Sequence, residues 1–317
     1  SGKTRTIVYR VAHLLESGVL PQQILLLTFT NKAAREMLSR VDQLLGRTPD
    51  GLWGGTFHHV ANRILRRYAT CVGYQSNFTI LDEEDSLDLL KLSVQEEGVD
   101  TTAKRFPAPS VLKAIVSMSR NARRPIEDII DERHTKFSAL TPAIAGVAAA
   151  YDRRKRAANS MDFDDLLVRL LELLEQPGPR DTLARQFQYV LVDEYQDTNR
   201  IQAAVATRVA SVHGNLLVVG DDAQSIYSFR AADVGNILRF PEAFPRARMF
   251  RVETNYRSTP PILAVANAII AGNTEQFPKA LRAVVPGGKR PTLVQANTAA
   301  EEAAYVAQRI LKLRSEG

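Results

Sequence analysis

Three short apolar runs constrain this chain more than any other feature: Ile24-Leu25-Leu26-Leu27, Tyr189-Val190-Leu191-Val192 and Leu216-Leu217-Val218-Val219. A strand with one wet face alternates apolar and polar residues. A run without alternation suits a strand covered on both faces, as in a parallel sheet. Each run gives way to polar residues and then to a helix-like segment. Ahead of the first run, Ile7, Val8, Val11, Leu14 and Leu15 recur at helical spacing, with Gly18 as a stop. After it, Ala34, Met37, Leu38, Val41, Leu44 and Leu45 form a stripe that Thr30 or Asn31 can cap. Strands alternating with helices predict an α/β fold with a mostly parallel sheet. Ligands of such sheets sit beyond the carboxyl ends of the strands, so the polar clusters that follow the runs are the candidate site.

The middle of the chain differs. Strand signal is scarce over 81–180, and Pro107, Pro109, Pro125, Pro142, Pro177 and Pro179 punctuate short helices. This stretch is expected to be a helical subdomain inserted into an α/β domain made of 1–80 and 181–258. Residues 259–317 read as the incomplete start of a further domain, with a helix from Pro260 to Ala271, a strand near Pro291 to Gln295 and a helix from Ala299 to Leu313. The length of 317 residues allows two domains, or one with a large insertion. No apolar run is long enough to cross a bilayer, so no membrane partner is expected. The net charge of +6 weakly favours a polyanionic partner. A single cysteine, Cys71, excludes an internal disulfide framework and a cysteine-rich metal site. It fits a reducing, cytoplasmic setting and is expected to be a small buried hydrophobe.

Ser1-Gly2-Lys3-Thr4 matches the end of the phosphate-binding pattern G-x-x-x-x-G-K-[ST]. Glycine lets the backbone wrap phosphate, lysine reaches the terminal phosphates, and the hydroxyl holds Mg²⁺. The helix that follows aims its positive end at the anion. Because the chain opens without methionine, the first glycine of the pattern and the native N-terminus are expected upstream. Asp193-Glu194, after the second apolar run, supplies the complement. Aspartate there holds Mg²⁺ through water, and the adjoining glutamate activates the attacking water.

The longer string Asp193-Glu194-Tyr195-Gln196-Asp197-Thr198-Asn199 resembles the second motif of the UvrD/PcrA/Rep-like superfamily-one helicases. The same family shows TFTNKAAREM (here Thr28 to Met37), TFH before an arginine-rich helix (Thr56 to Arg67), DFDDLL (Asp162 to Leu167), GD-x-x-QSIY-x-[WF]-R (Gly220 to Arg230) and NYRS (Asn255 to Ser258). They occur in family order across nearly the whole chain. The resemblance implies a RecA-like P-loop NTPase domain. It implies an ATP- and Mg²⁺-dependent enzyme that moves 3′ to 5′ on single-stranded DNA and opens tailed duplexes, working with unidentified repair or recombination proteins.

The resemblance also assigns roles. Gly2, Lys3 and Thr4 bind phosphates, Thr4 and Asp193 the Mg²⁺, and Arg5 lies near the nucleotide. Glu194 is the catalytic base, Gln224 and Arg257 approach the γ-phosphate, and Tyr256 stacks on adenine. Phe29, Asn31, His58, Tyr227 and Phe229 are the single-strand contacts, and Arg230 links the DNA and ATP sides. Aromatic faces accept any base, and Tyr227 and Phe229, two apart, share a face in an extended segment. Phe229 stands where near family members carry tryptophan, Ala223 where the family often has aspartate, and Ala231 where glycine is usual. His58 and His59 have no acidic or cysteine partner at metal spacing. Arg63, Arg66, Arg67 and the run Arg153 to Arg156 are expected to be solvated faces. A RecB/AddA-type helicase–nuclease shares several of these motifs. An ATP-switched DNA-binding module without unwinding is disfavoured by Glu194, and a P-loop kinase by the QSIY segment. The later motifs of the family, with the arginine that the second motor domain contributes, are expected beyond residue 317, so this stretch by itself is expected not to unwind DNA.

Overall fold

The computed structural model describes residues 2–99 and 106–316. Ser1 of the phosphate-loop string, residues 100–105 of the expected insertion, and Gly317 lie outside them. The described chain falls into two compact units. The larger holds Gly2–Phe250 and Glu275–Phe277; the smaller takes Arg251–Thr274 and the described residues from Pro278 on.

In the larger unit the order is α1 (Lys3–Glu16), β1 (Ile24–Thr28), α2 (Asn31–Leu45), β2 (Trp53–Thr56), α3 (Phe57–Tyr68), β3 (Thr79–Ile80), α4 (Glu83–Glu96), α5 (Pro109–Ala122), α6 (Ile126–Arg133), α7 (Thr141–Ala157), β4 (Ser160–Met161), α8 (Phe163–Glu175), α9 (Pro177–Gln186), β5 (Tyr189–Val192), α10 (Arg200–Val209), β6 (Leu216–Val218), α11 (Gly235–Leu238) and α12 (Phe240–Ala243). The main sheet runs β2-β1-β5-β6, and every pairing in it is parallel.

The absence of alternation in the apolar runs now has its cause. In β1, Ile24 and Leu26 pack with Ile7, Val11 and Leu14 of α1 and Met37 and Val41 of α2. Their neighbours Leu25 and Leu27 pack on the other face with α3, α8 and α10. In β5, Leu191 joins the first layer and Val190 and Val192 the second. Successive side chains of a strand point to opposite faces, so a strand covered on both sides must be apolar throughout. Local signals start and stop the helices: the Thr30 hydroxyl accepts from Ala33 N, Asp162 and Asp165 form a capping box on α8, and Gly46 ends α2 at φ 65°.

The stretch 81–180 is helical apart from β4, which pairs with β3. Helices α4 to α7 share a core of their own, with Leu90, Leu112, Ile115, Ile130, Phe137, Ile144, Val147 and Tyr151. Helix α8, by contrast, buries Leu166, Leu167, Leu170 and Leu174 in the core beneath the sheet.

Two expectations fail in the larger unit. Cys71 is exposed: it lies in the 3₁₀ turn Ala69–Val72, which buries Ala69 and Val72 instead. Lys155, read within a solvated basic run, is fully buried on α7 and ion-paired. Helical spacing turns one residue of that run inward while Arg153 and Arg154 reach Glu96 and Glu97 outside.

The smaller unit contains β7 (Thr254–Asn255), α13 (Pro260–Ile270), β8 (Arg282–Ala283) and α14 (Ala299–Glu316), with β7 and β8 parallel. The strand expected at Pro291 to Gln295 is not formed. Pro291 has no N–H to donate, Leu293 is 96% exposed, and no neighbouring strand pairs there.

Candidate nucleotide and nucleic-acid site

The polar strings converge because parallel strands all end on the same edge. Thr28-Phe29 follows β1, Thr56 to His58 follows β2, Asp193 to Asn199 follows β5 and Gly220 to Arg230 follows β6. The ends are stitched by backbone bonds: Asp193 N donates to Leu27 O at 2.9 Å, Val219 N to Val192 O at 2.9 Å, and Tyr195 N to Val219 O at 3.0 Å.

Gly2 caps α1, and its carbonyl accepts from Thr6 N at 2.9 Å and from Thr6 Oγ1 at 3.0 Å. Lys3 and Thr4 thus occupy the first turn, where unpaired N–H groups favour an anion. Lys3 Nζ donates to Glu194 Oε2 at 2.9 Å, an ion pair across 191 positions of sequence. Arg5 points along α1 to Tyr9, its guanidinium donating to Tyr9 Oη at 3.3 Å.

Glu194 adopts φ 49° and ψ 46°, the left-handed region that non-glycine residues seldom occupy. Such backbone is held by its surroundings and clusters at functional sites. Here it turns Glu194 toward Lys3 while Asp193 stays at the mouth of the sheet. Asp193 is buried, and its Oδ1 has no hydrogen-bond partner. Burial, and next the Glu194 charge, push its carboxyl up to about 6. Asp197 is raised to about 6 by the same two causes, and its Oδ1 and the Thr28 hydroxyl are likewise buried without partners. Unpaired buried oxygens are costly, and a hard divalent cation with its waters takes oxygen ligands. The unpaired Asp193 oxygen is therefore a donor of the kind that fits Mg²⁺. Among the described residues no group of three or more His, Cys, Asp or Glu side chains is placed to hold a metal ion by itself.

Gln196, which sequence reasoning did not single out, ties two loops together. Its Nε2 donates to Glu194 Oε2 and Asp197 Oδ2, both at 3.1 Å, and its Oε1 accepts from Asp221 N at 2.9 Å. Gly220 allows this approach: a Cβ there would lie 2.6 Å from Gln196 Oε1 and 2.6 Å from Ile237 Cδ1. Gln224 donates to Asp221 Oδ2 at 2.6 Å.

On the same strand edge lies an aromatic series. Phe29 and Tyr227 have ring centroids 5.2 Å apart, and Tyr227 and Phe229 5.9 Å. The Arg230 guanidinium lies 5.8 Å from the Tyr227 ring and 5.6 Å from that of Phe229. Phe229 is 64% exposed. The segment is a 3₁₀ turn over Ser228–Arg230 and not an extended one, with Ala231 left-handed at φ 61°. That φ is the conformation in which glycine is free of strain.

His58, on α3, meets Phe163 edge to face at 6.2 Å. Burial lowers the His58 pKa, against the pull of Asp164. Phe163 is 56% exposed at the first position of α8. Its signal was present in the DFDDLL string: an aromatic between two acids, off the apolar stripe of its helix. Asn31 is exposed at the start of α2. Of the arginines of α3, Arg63 and Arg67 are exposed and Arg66 is half-buried. Arg63 lies 3.7 Å over the Trp53 ring, and Arg66 lies 3.8 Å over Phe78 while donating to the Ser76 and Phe78 carbonyls.

Tyr256 and Arg257 belong to the smaller unit. There the buried Asn255 accepts from Arg257 N and Ser258 N, both at 2.8 Å, and the resulting turn leaves Tyr256 63% exposed.

Residues 1–245 match the family model of the UvrD/REP helicase N-terminal domain, and residues 250–317 that of the UvrD-like helicase C-terminal domain. The ATP-dependent DNA helicase PcrA of Staphylococcus epidermidis is 40% identical over 319 aligned positions, which cover 100% of this chain and 43% of that protein. PcrA of Staphylococcus aureus is 39% identical over the same span, again 43% of its length. The chain thus spans less than half the length of these curated relatives.

Proposed function

This chain belongs to the UvrD/REP helicase family, and on that premise we propose that it is the ATP-binding part of a DNA helicase that translocates on single-stranded DNA, 3′ to 5′ as the family resemblance implies. The observation that carries the reading is the Lys3–Glu194 ion pair beside the unpaired Asp193 Oδ1. It joins the two halves of a nucleotide site that lie far apart in sequence.

In this reading Lys3 and the N–H groups of Gly2, Lys3 and Thr4 hold the phosphates of ATP. Thr4 and Asp193 hold Mg²⁺, which when bound neutralises charge on the phosphate oxygens. Lys3 exchanges Glu194 for phosphate, and that exchange frees Glu194 to take a proton from water. Gln196 keeps Glu194 aimed through its 3.1 Å bond. Gln224 and Arg257 sense the γ-phosphate, and Tyr256 covers the adenine. Phe29, Tyr227, Phe229, Phe163 and His58 form the base-stacking face, with Asn31 at its rim. Arg230, over two of those rings, links it to the nucleotide loops. The separate core of α4 to α7 supports an inserted subdomain over those helices, though not over α8, which packs beneath the sheet, and the match of 250–317 supports reading 259–317 as the start of a second motor domain.

The test is the pair K3A and E194Q in the intact protein. K3A is expected to abolish nucleotide binding and turnover. E194Q is expected to bind ATP normally and hydrolyse none. Normal hydrolysis by E194Q refutes the assignment of the base.

A further inference from the structure

Asn121 belongs to none of the motifs above, yet its side chain spans two of them. It sits near the end of α5 and is only 8% exposed. Its Nδ2 donates to Asp164 Oδ1 at 2.7 Å and to the Ser117 carbonyl at 3.0 Å. Its Oδ1 accepts from Asn199 Nδ2 at 2.7 Å. Chemistry fixes the sense of this chain. An ionised carboxylate only accepts, so Asp164 requires the amide nitrogen of Asn121. Asn199 Oδ1 is committed to the Gln202 N–H at 2.9 Å as the cap of α10. Only the Asn199 amide nitrogen is then left to face Asn121.

The two ends of this bridge matter. Asn199 closes the Asp193–Asn199 loop, whose turns are locked by Asp197 N to Glu194 O at 2.9 Å and Thr198 N to Tyr195 O at 3.1 Å. Asp164 directly follows Phe163, whose ring meets His58. Helices α8 and α10 also share apolar packing, including Leu167 and Ile201. That packing is non-directional. A donor–acceptor pair is directional and fails when either end shifts by an ångström or turns.

We propose that Asn121 is a positioning residue that couples nucleic-acid binding at the Phe163–His58 face to the loop carrying Glu194. This rests on the function proposed above. A base stacked on Phe163 displaces the start of α8, Asp164 moves with it, and the Asn121 amide passes the displacement to Asn199. An apolar residue cannot take this place without stranding the buried Asn199 amide and the half-buried Asp164 carboxylate. Aspartate cannot take it either, because two carboxylates would then face each other.

The experiment compares ATP turnover of the intact protein with and without a single-stranded oligonucleotide, alongside thermal melts. In N121D, turnover without DNA is expected to stay within about twofold of wild type, while DNA-stimulated turnover falls roughly fivefold or more, the scale of a typical coupling between sites. Adding D164N to N121D restores stimulation, because it supplies the donor that N121D lacks. N121L, which strips both polar ends without adding charge, loses stimulation as N121D does and carries the comparison if N121D melts early. Wild-type stimulation in a stably folded N121D and N121L overturns the inference and leaves the function standing. So does an equal loss of basal and stimulated turnover, which marks a structural role alone. Absence of any DNA stimulation in the wild type overturns the function and the inference together.

Discussion

Replacing Lys155 with methionine tests how charge is balanced inside this fold. Lys155 Nζ is fully buried and bonds Asp162 Oδ2 at 3.0 Å and Asp165 Oδ2 at 2.5 Å, with Asp152 Oδ1 at 3.3 Å. Lys113, Arg120 and, at 3.9 Å from Asp165, Arg169 complete the cluster, so four cations face three carboxylates. Methionine keeps the volume and removes one cation. Asp162 retains Lys113 at 3.1 Å and the Tyr151 hydroxyl at 2.9 Å. Asp165 keeps its own capping contact with the Asp162 N–H at 3.1 Å and only longer contacts to charge, Arg120 at 3.5 Å and Arg169 at 3.9 Å.

Breaking a buried pair from one side costs about 3–5 kcal/mol, against at most about 1 kcal/mol for an exposed pair. For a unit of this size that is a fall in melting temperature on the order of 6–20 °C. D165N, added to K155M, removes the stranded charge and should recover about 0.5–3 kcal/mol. Acid gives a second readout. Burial, then the Asp162 charge, already hold the Asp165 carboxyl above its ordinary value, and Lys155 opposes them. Losing Lys155 raises it further. A carboxyl with a raised folded pKa binds more protons folded than unfolded, so its penalty is full above the folded pKa and vanishes toward the unfolded value near ~3.9. Asp162 behaves oppositely: burial would raise it, but Lys155, Arg120 and Lys113 outweigh burial and hold it well below the usual range. Its stabilisation is therefore present above the unfolded value and lost only as pH falls through the depressed one. The K155M deficit, measured by urea unfolding against wild type at each pH, should shrink from about pH 7 to about pH 4. A deficit below about 1 kcal/mol, or one that does not change with pH, refutes this account of the cluster.

Three further outcomes are expected. F163A and F229A should each lose about 1–3 kcal/mol of single-strand affinity by fluorescence anisotropy, largely independent of sequence; unchanged affinity with an unchanged melt removes that ring from the stacking face. G220A puts a methyl 2.6 Å from Gln196 Oε1 and Ile237 Cδ1, and should cost about 1–3 kcal/mol and lower ATP turnover as Gln196 shifts; wild-type stability and turnover would show that the loop yields freely. Cys71, being exposed, should react with a thiol reagent in the native protein at the rate of a free thiol, and a need for denaturant would contradict its position.

The sheet was legible in the sequence because burial on two faces leaves a local mark. Ile24 to Leu27 is apolar at every position, and no distant residue has to be known to read it. The strand edge was legible for the same reason: Phe29, Asp193, Glu194 and Tyr227 follow predicted strands, parallel strands end together, and Lys3 opens a predicted helix. Partners across the fold leave no such mark. Gln196 and Asn121 looked like ordinary polar residues until tertiary packing set Asp221, Asp164 and Asn199 against them. Lys155 read as one more solvated charge until α7 turned it toward Asp162 and Asp165. Phe163 stood off the apolar stripe of its helix, but only α3 brought His58 beside it. Periodicity reports which way a side chain points, and the chain itself carries that. The group it points at is decided only when the helices of 81–180 pack against α8 and the loops beyond β5 and β6 close on one another. Apart from those of Lys155, these contacts join residues 25 or more positions apart, so their geometry belongs to the folded molecule alone.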